Sequence, residues 1–236
     1  ALFCAGAMDA FHTLAADRLI SAVADNSDLI PFTWAICRLF NALILIAGVS
    51  LFLLRPERRE SDGEGHGFRF VLIISLVFGT LAYLVIHICA TSQQLPRTQF
   101  PDGLITRPYD VLPLLLYLLA GLVLFPRFHR RLGSVFSAAL ILSIVPQVVT
   151  QAHMAFGSSS LFDAHFNIAH FLKIIAYLVP FGGLLLDYIR TYEVQTATTA
   201  ALELANRELP ERETRLETIF DSIVDAPFDA ALSERY

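Results

Sequence analysis

Five polar side chains recur at helical spacing in an otherwise apolar stretch, FDAHFNIAHFLKIIAYLVPF, residues 162–181. Separations of 4, 3, 3 and 4 residues place them on one stripe of a helix with about 3.6 residues per turn: Asp163, Asn167, His170, Lys173 and Tyr177. Lys173 is the only lysine in the chain. Because an ionisable group near the centre of a bilayer costs about 2.5 kcal/mol or more, we expect this stripe to face other helices rather than lipid.

A second polar stripe lies in the apolar run 29–54, where Trp34, Arg38 and Asn41 are spaced by 4 and 3 residues. Two such stripes should face each other, and two interpretations of the pair remain open. In the first, Arg38 and Lys173 pair with Asp9 and hold the helices together. In the second, two cations with one nearby carboxylate leave a positive surplus that binds a small anionic or quinone-like ligand.

The elements that carry these stripes are predicted to be membrane spans. The chain is 55% hydrophobic and 17% charged, and runs of about 20 apolar residues are long enough to cross a bilayer as helices. Five such runs occur, at 29–54, 68–90, 109–126, 134–156 and 164–189. We predict an all-α, polytopic transmembrane helical bundle of five full spans, with a partial N-terminal span formed by ALFCAGAMDAFHTL and a helical tail. The sequence shows no basic, aromatic-rich patch for nucleic acid.

The arginines predict the orientation of the spans, because loops rich in Lys and Arg face the cytoplasm. Basic residues fall in alternate connections, at 55–69, at 127–131 and after the last span at Arg190. The remaining connections, 21–28, 91–108 and 157–163, are therefore expected to face outward. This predicts a multi-pass membrane protein with its C-terminus in the cytoplasm.

The histidines are expected to concentrate at the outer side under this topology, where five of the seven fall: His12, His87, His153, His165 and His170. Neutral imidazole is a common metal ligand, but the sequence has no HxxxH pair and no Cys–His cluster. We therefore predict hydrogen-bonded histidines and no metal or haem site, and name no cofactor. In the alternative that a metal is bound, the candidate ligands are His87, His153 and His165.

The tail after residue 190 has the pattern of a short parallel coiled coil. Its apolar positions recur every seven residues, with two further seam positions between them: Leu202, Leu209, Leu216 and Ile223, then Ala205 and Ile219. Pro210 is expected to interrupt the helix, since proline lacks an amide hydrogen. We predict a homodimer through 202–223. The alternative is one amphipathic helix packed on its own protein.

Three motifs resemble the third family of bacterial membrane-associated sensor domains, the integral-membrane input modules of histidine kinases and diguanylate cyclases. GAMDAFHTLA, FTWAICRLFNALILI and NIAHFLKIIAYLV are similar to its Gly-x-x-Asp-x-x-His-Thr-Leu, Trp-x-x-x-Arg and Asn-x-x-x-His elements, over residues 1 to about 192. The resemblance singles out the same polar groups that spacing and cost select: Asp9, His12, Trp34, Arg38, His170 and Lys173. The ending ETRLETIFDSIVDAPFDAAL is similar to the entry of a PAS domain.

These observations predict a transmembrane sensor-like domain at 1–190, a coiled-coil linker at 191–223, and a PAS-like start or a disordered tail at 224–236. No phosphate loop, Ser–His–Asp arrangement or carboxylate pair indicates catalysis, so we predict a protein that is not an enzyme. The functional hypothesis is a sensory input module that passes an outer-side ligand or redox signal to a cytoplasmic output. The predicted ligand-binding residues are Asp9, His12, Trp34, Arg38, Asn167, His170, Lys173 and Tyr177. The alternative is a non-catalytic subunit of a larger membrane complex that packs against partner helices or pigments.

Overall fold

The computed structural model describes residues 2–54 and 64–224, and it confirms the all-α prediction. The described residues are 84% helical and contain no strand. Six helices follow one another: α1 Leu2–Ala16, α2 Asn26–Leu54, α3 Glu64–Thr91, α4 Pro108–Leu132, α5 Val135–Gly157 and α6 Ala164–Val224. Within the predicted loop 55–69, residues 55–63 lie outside the described part. Residues 225–236, in the tail predicted to be PAS-like or disordered, also lie outside the described part.

Five of the helices, α2 to α6, are long and apolar enough to span a membrane, as the sequence predicts. Helix α1 has 15 residues, which corresponds to about 22 Å at 1.5 Å per residue and is less than the roughly 30 Å hydrocarbon core. Two of the long helices are locally wider: α4 contains a π-helical segment at Ala120–Leu124 and α5 ends in one at His153–Gly157.

Helix α2 lies at the centre of the bundle, in contact with α1 on one side and α4 on another. Met8, Cys37 and Phe40 form part of the core between α1 and α2, while Trp34, Met154 and Phe166 join α2 to the ends of α5 and α6. Helix α3 is much less buried than α2. Only 6% of its most apolar stretch is buried, against 39% for that of α2, so most of the α3 surface is exposed in the single chain.

Helix α6 begins at a defined cap. The Asp163 carboxylate accepts hydrogen bonds from the backbone N–H groups of Ser159, Ser160 and Phe166 at 2.8, 3.1 and 2.7 Å. An aspartate before the first helical residue satisfies amides that have no partner within the helix. This cap fixes where α6 starts, and therefore which of its side chains enter the bundle.

The expected interruption at Pro210 is wrong, because α6 continues through it as a single helix from Ala164 to Val224. The side chains around Pro210 are exposed, so water can bond to the backbone carbonyl that loses its partner to the proline. By contacts, the chain divides into two units between Leu185 and Leu186. The first contains the helical bundle, and the second contains the tail.

Candidate functional site

The buried polar cluster centres on an ion pair between Asp9 of α1 and Lys173 of α6. Lys173 Nζ lies 2.7 Å from Asp9 Oδ1, and the two side chains are only 11% and 13% exposed. The other carboxylate oxygen, Oδ2, accepts a hydrogen bond from the Tyr177 hydroxyl at 2.5 Å. Both oxygens of Asp9 are therefore engaged by groups on α6, which joins the first and last helices of the bundle.

Tyr177 connects this ion pair to the polar stripe on α2. Its hydroxyl oxygen accepts hydrogen bonds from Asn41 Nδ2 at 2.7 Å and from Arg38 Nη1 at 3.2 Å. The single hydroxyl thus bridges three side chains from two other helices. The structure brings the two predicted stripes together, as their cost in a bilayer requires.

Arg38 is fully buried and is held mainly by aromatic rings and neutral oxygens. Its Nη2 donates to the Gln147 side chain of α5, and its guanidinium carbon lies 5.0 Å from the centroid of the Tyr117 ring and 5.9 Å from that of Trp34. Within the described residues no carboxylate reaches Arg38 at 4.0 Å or less. Cation–π contacts of this kind contribute more when the cation is removed from water.

A group of stacked rings forms the other end of the cluster. His170 lies 4.3 Å from Trp34 and 4.0 Å from Phe166 by ring centroids, and its Nδ1 is 2.9 Å from the Phe166 carbonyl oxygen. Since a carbonyl can only accept, His170 Nδ1 carries the proton. His12 Nδ1 is 2.7 Å from the Thr33 hydroxyl, which itself donates to the Leu29 carbonyl.

The direction of the hydrogen bond between His12 and Thr33 follows the tautomer of His12. The neutral form of His170, with its proton on Nδ1, keeps Nε2 as a hydrogen-bond acceptor. Lys173 Nζ lies 5.0 Å from the Trp34 centroid, which places its charge between the ring group and Asp9.

Seven of the eight predicted binding residues belong to this cluster, and one does not. Asn167 is exposed and donates to the Phe162 carbonyl at 3.1 Å, where it supports the start of α6. Among the other predicted groups, His153 and His165 contact each other, and His87 stacks on Tyr83 with the ring centroids 5.9 Å apart. In the described residues no three or more His, Cys, Asp or Glu side chains form a metal-binding group.

Sequence analysis did not identify several partners of the cluster. Gln147 and Tyr117 hold Arg38, and neither was selected because a single polar group in an apolar span gives no pattern. Tyr117 donates to the Arg38 backbone carbonyl at 3.3 Å. Gln147 is followed four residues later by Gln151, and that spacing on one helix face was a usable signal.

A second buried polar group lies where α4 begins, and sequence analysis did not predict it. Arg107, Asp110 and Gln151 are each at most 1% exposed. The positive charges of Arg107 and Arg38 both act on the Asp110 carboxylate, and the Trp34 and Gln151 side chains adjoin it. Asp110 is thus a second buried carboxylate, but Arg107 is a third buried cation, so the positive surplus inferred from Arg38, Lys173 and Asp9 is unchanged.

A cavity of about 220 Å³ adjoins the ion pair. Its wall is mostly apolar, and its polar lining comes from Asp9, Asn41, Ser143, Gln147 and Tyr177. The residues described as lining it include neither of the two cations. The cavity extends along α6 from Ala176 to Leu184, about 18 to 30 Å from the first residue of that helix at 1.5 Å per residue. It is therefore farther from the predicted outer loops than the sequence analysis placed the pocket.

A model of the MASE3 family, a membrane-associated sensor domain, matches residues 1–191. The match includes every member of the buried polar cluster and ends within α6. It agrees with the resemblance carried by the three sequence motifs. No curated protein and no solved structure matches the chain.

Proposed function

The chain belongs to the family of membrane-associated sensor domains, and on that premise we propose that it is a sensory input module that passes a ligand or redox signal, read at the buried polar cluster and the cavity beside it, to a cytoplasmic output. One observation carries the proposal: Lys173 and Tyr177, which hold the centre of the buried polar cluster, lie on the same helix as the apolar heptads of the tail. A change at the cluster would act on α6 directly.

The ligand that best fits the cavity is quinone-like. A quinone has an apolar body, which suits the apolar wall, and carbonyl oxygens that can accept hydrogen bonds from the side-chain amides of Asn41 or Gln147. A small anion fits less well, because Asp9 lines the cavity whereas Arg38 and Lys173 do not. A lipophilic ligand can also reach a deep cavity from the bilayer itself.

The proposed output route is a parallel homodimer through 202–223. Leu202, Leu209 and Leu216 are 60%, 53% and 66% exposed in the single chain, although leucines repeated every seven residues are typical of a coiled-coil seam. A second copy of the chain would cover them. The division into a sensor-like domain at 1–190 and a coiled-coil linker at 191–223 is part of this proposal.

Crosslinking in membranes tests the route. Leu202→Cys, Leu209→Cys and Leu216→Cys should crosslink between chains more readily than Glu203→Cys and Glu217→Cys, with the unsubstituted chain and its three native cysteines as the background. Addition of decylubiquinone should change the extent of crosslinking at Leu209→Cys. Equal crosslinking at all five positions would contradict the dimer, and crosslinking that does not respond to decylubiquinone would contradict the quinone-like ligand.

A cavity-filling variant makes this test specific. Ala176 is fully buried and lines the cavity, so Ala176→Leu should abolish the response to decylubiquinone and leave the basal crosslinking of Leu209→Cys in place. Leu178→Ala is the matched control, because Leu178 lies on the exposed side of the same helix. A response that persists in Ala176→Leu would place the ligand elsewhere.

The bacterial inner-membrane location is proposed from the resemblance to bacterial sensor domains, and the cytoplasmic C-terminus is proposed from the arginine distribution. Single cysteines in the 91–108 loop should react with a membrane-impermeant thiol reagent from the periplasmic side, and cysteines at 127–131 should not. The reverse labelling pattern would overturn the orientation.

A second candidate function, a non-catalytic subunit of a larger membrane complex, is supported by the exposed apolar surface of α3. Leu72, Leu76 and Leu84 are each about half exposed or more, which suits either lipid or a partner helix. Native mass spectrometry from mild detergent separates the two functions. A partner protein that stays bound through α3 would favour the subunit, and a bare homodimer would favour the sensor.

A further inference from the structure

We infer that His153 and His165 form a binding site for one late first-row divalent transition-metal ion, such as Ni²⁺ or Cu²⁺. Their Nδ1 atoms lie 2.8 Å apart, and their ring centroids are separated by 5.1 Å. His153 comes from the π-helical end of α5, and His165 comes from the first turn of α6. The inference goes beyond the sensory function and does not depend on it.

The spacing of the two nitrogens matches two neighbouring ligands of one ion. With metal–nitrogen bonds of about 2.0–2.1 Å, two ligands at a right angle have nitrogens about 2.9 Å apart, whereas the tetrahedral angle of zinc separates them by about 3.3 Å. Right-angled nitrogen ligands are typical of Cu²⁺ and Ni²⁺. The distance between the two nitrogens therefore suits such an ion, which would replace the hydrogen bond that joins them.

The local backbone creates this spacing. A π-helical turn adds one residue to a helical turn and is often found at functional sites, and here it carries His153. Gly157 ends the same turn, and a Cβ atom at that position would overlap the His165 ring. Glycine at residue 157 is thus what allows His165 to lie against the end of α5.

The surroundings indicate a site with open coordination positions. His165 is exposed and His153 is half-buried, so water can fill the remaining positions. The nearest acidic group along the chain, Asp163, is engaged by three backbone N–H groups and does not supply a third ligand. Imidazole favours late transition metals over Mg²⁺, which prefers oxygen.

The test is a titration of the full chain in nanodiscs with Ni²⁺, after purification without a polyhistidine tag. We expect one Ni²⁺ per chain, with Mg²⁺ unable to compete. Loss of an outer-shell partner already reduces metal affinity about 10- to 100-fold, so His153→Ala and His165→Ala should each weaken Ni²⁺ binding at least tenfold. His87→Ala is the control, because His87 stacks on Tyr83, and it should bind Ni²⁺ as the wild type does.

Two further measurements do not depend on removing a histidine. Gly157→Ala keeps both imidazoles and should still weaken Ni²⁺ binding, because the new methyl group displaces the His165 ring. One equivalent of Cu²⁺ added to the wild type should give an electron paramagnetic resonance spectrum with coupling to two imidazole nitrogens. A spectrum without nitrogen coupling, or equal Ni²⁺ affinity in the wild type and both histidine variants, would overturn the site.

Discussion

Two ion pairs of helix α6 have the same chemistry in opposite surroundings. Lys173 and Asp9 are 2.7 Å apart and nearly buried, whereas Arg212 and Glu208 are 3.2 Å apart with side chains 76% and 52% exposed. Removing one partner of a buried pair leaves an uncompensated charge away from water, whereas the partner of an exposed pair returns to water. An ion pair therefore stabilises this fold according to whether a charge that loses its partner stays buried or returns to water.

The largest change in stability is expected at the buried pair. Lys173→Met should lower the free energy of unfolding by about 3–5 kcal/mol, because Asp9 then stays buried without its cation. Adding Asp9→Asn to Lys173→Met should restore part of the loss, since a neutral amide is cheaper to bury. Denaturant or thermal unfolding of the purified protein in detergent measures both changes.

The same pair of variants separates the two interpretations that the sequence leaves open. If Lys173 instead binds an anionic ligand, Lys173→Met should fold with unchanged stability and lose a small molecule that co-purifies with the wild type. Asp9→Asn alone is the matched control and should also destabilise the protein. Mass spectrometry that finds no bound molecule, together with rescue by Asp9→Asn, would leave the ion pair as a structural link.

A smaller loss of stability is expected when the Lys173–Asp9 ion pair is kept and the hydrogen bonds of Tyr177 are removed. Tyr177→Phe deletes the hydroxyl that donates to Asp9 and accepts from Asn41 and Arg38. Buried groups left without a hydrogen-bond partner cost about 1–3 kcal/mol, so unfolding should become easier by that amount. Tyr188→Phe is the control, because Tyr188 is exposed on the same helix. An equal loss in both variants would mean that the Tyr177 bonds contribute nothing specific.

Much of this fold could be predicted from the sequence, because the cost of burying charge limits the arrangements. Apolar length identified the five spans, and helical spacing placed Trp34 and Arg38 opposite Lys173 and Tyr177. The prediction for Asn167 shows the limit of spacing. A stripe assigns a face to a residue only approximately: Phe166 and Ala169 are buried in the bundle, whereas Asn167 between them is exposed.

The missed partners have a different cause. Tyr117 and Gln147 reach Arg38 from α4 and α5, and Asp110 lies close enough for its charge to act on Arg38. Periodicity describes one helix at a time, whereas these contacts depend on which helices become neighbours. The break expected at Pro210 failed for a related reason, since the effect of a proline depends on whether water can reach the freed carbonyl.

Removing the Asp163 cap of α6 should cause an intermediate loss of stability, and the size of that loss should depend on pH. Burial would raise the pKa of Asp163, but the backbone N–H groups of Phe166, Ser160 and Ser159 hold that pKa below its usual value. A lowered pKa stabilises the fold above the unfolded-state pKa of about 3.9, and this stabilisation is lost as the pH falls through the lowered pKa. Asp163→Ala should therefore cost about 1 kcal/mol at neutral pH.

Thermal unfolding of the wild type and Asp163→Ala at several pH values checks this expectation. The difference in Tm between them should stay constant from about pH 7 to pH 5 and shrink below about pH 4. Asp28→Ala, in the first turn of α2, provides a carboxylate control at another helix start. A Tm difference that grows on acidification would contradict the role of the ionised Asp163 carboxylate.

The smallest change in stability is expected at the exposed pair of Arg212 and Glu208. Arg212→Ala should change the stability of the helical tail by only about 0.3–0.5 kcal/mol, the usual contribution of an exposed pair four residues apart on a helix. Salt should remove even this, because exposed charges are screened over about 8 Å at physiological ionic strength. Thermal unfolding followed by far-ultraviolet circular dichroism, at low and high salt, measures the change. A loss as large as that of Lys173→Met would mean that Arg212 is covered in the assembled protein, and crosslinking at Leu209→Cys and Leu216→Cys would then show whether a second chain covers it.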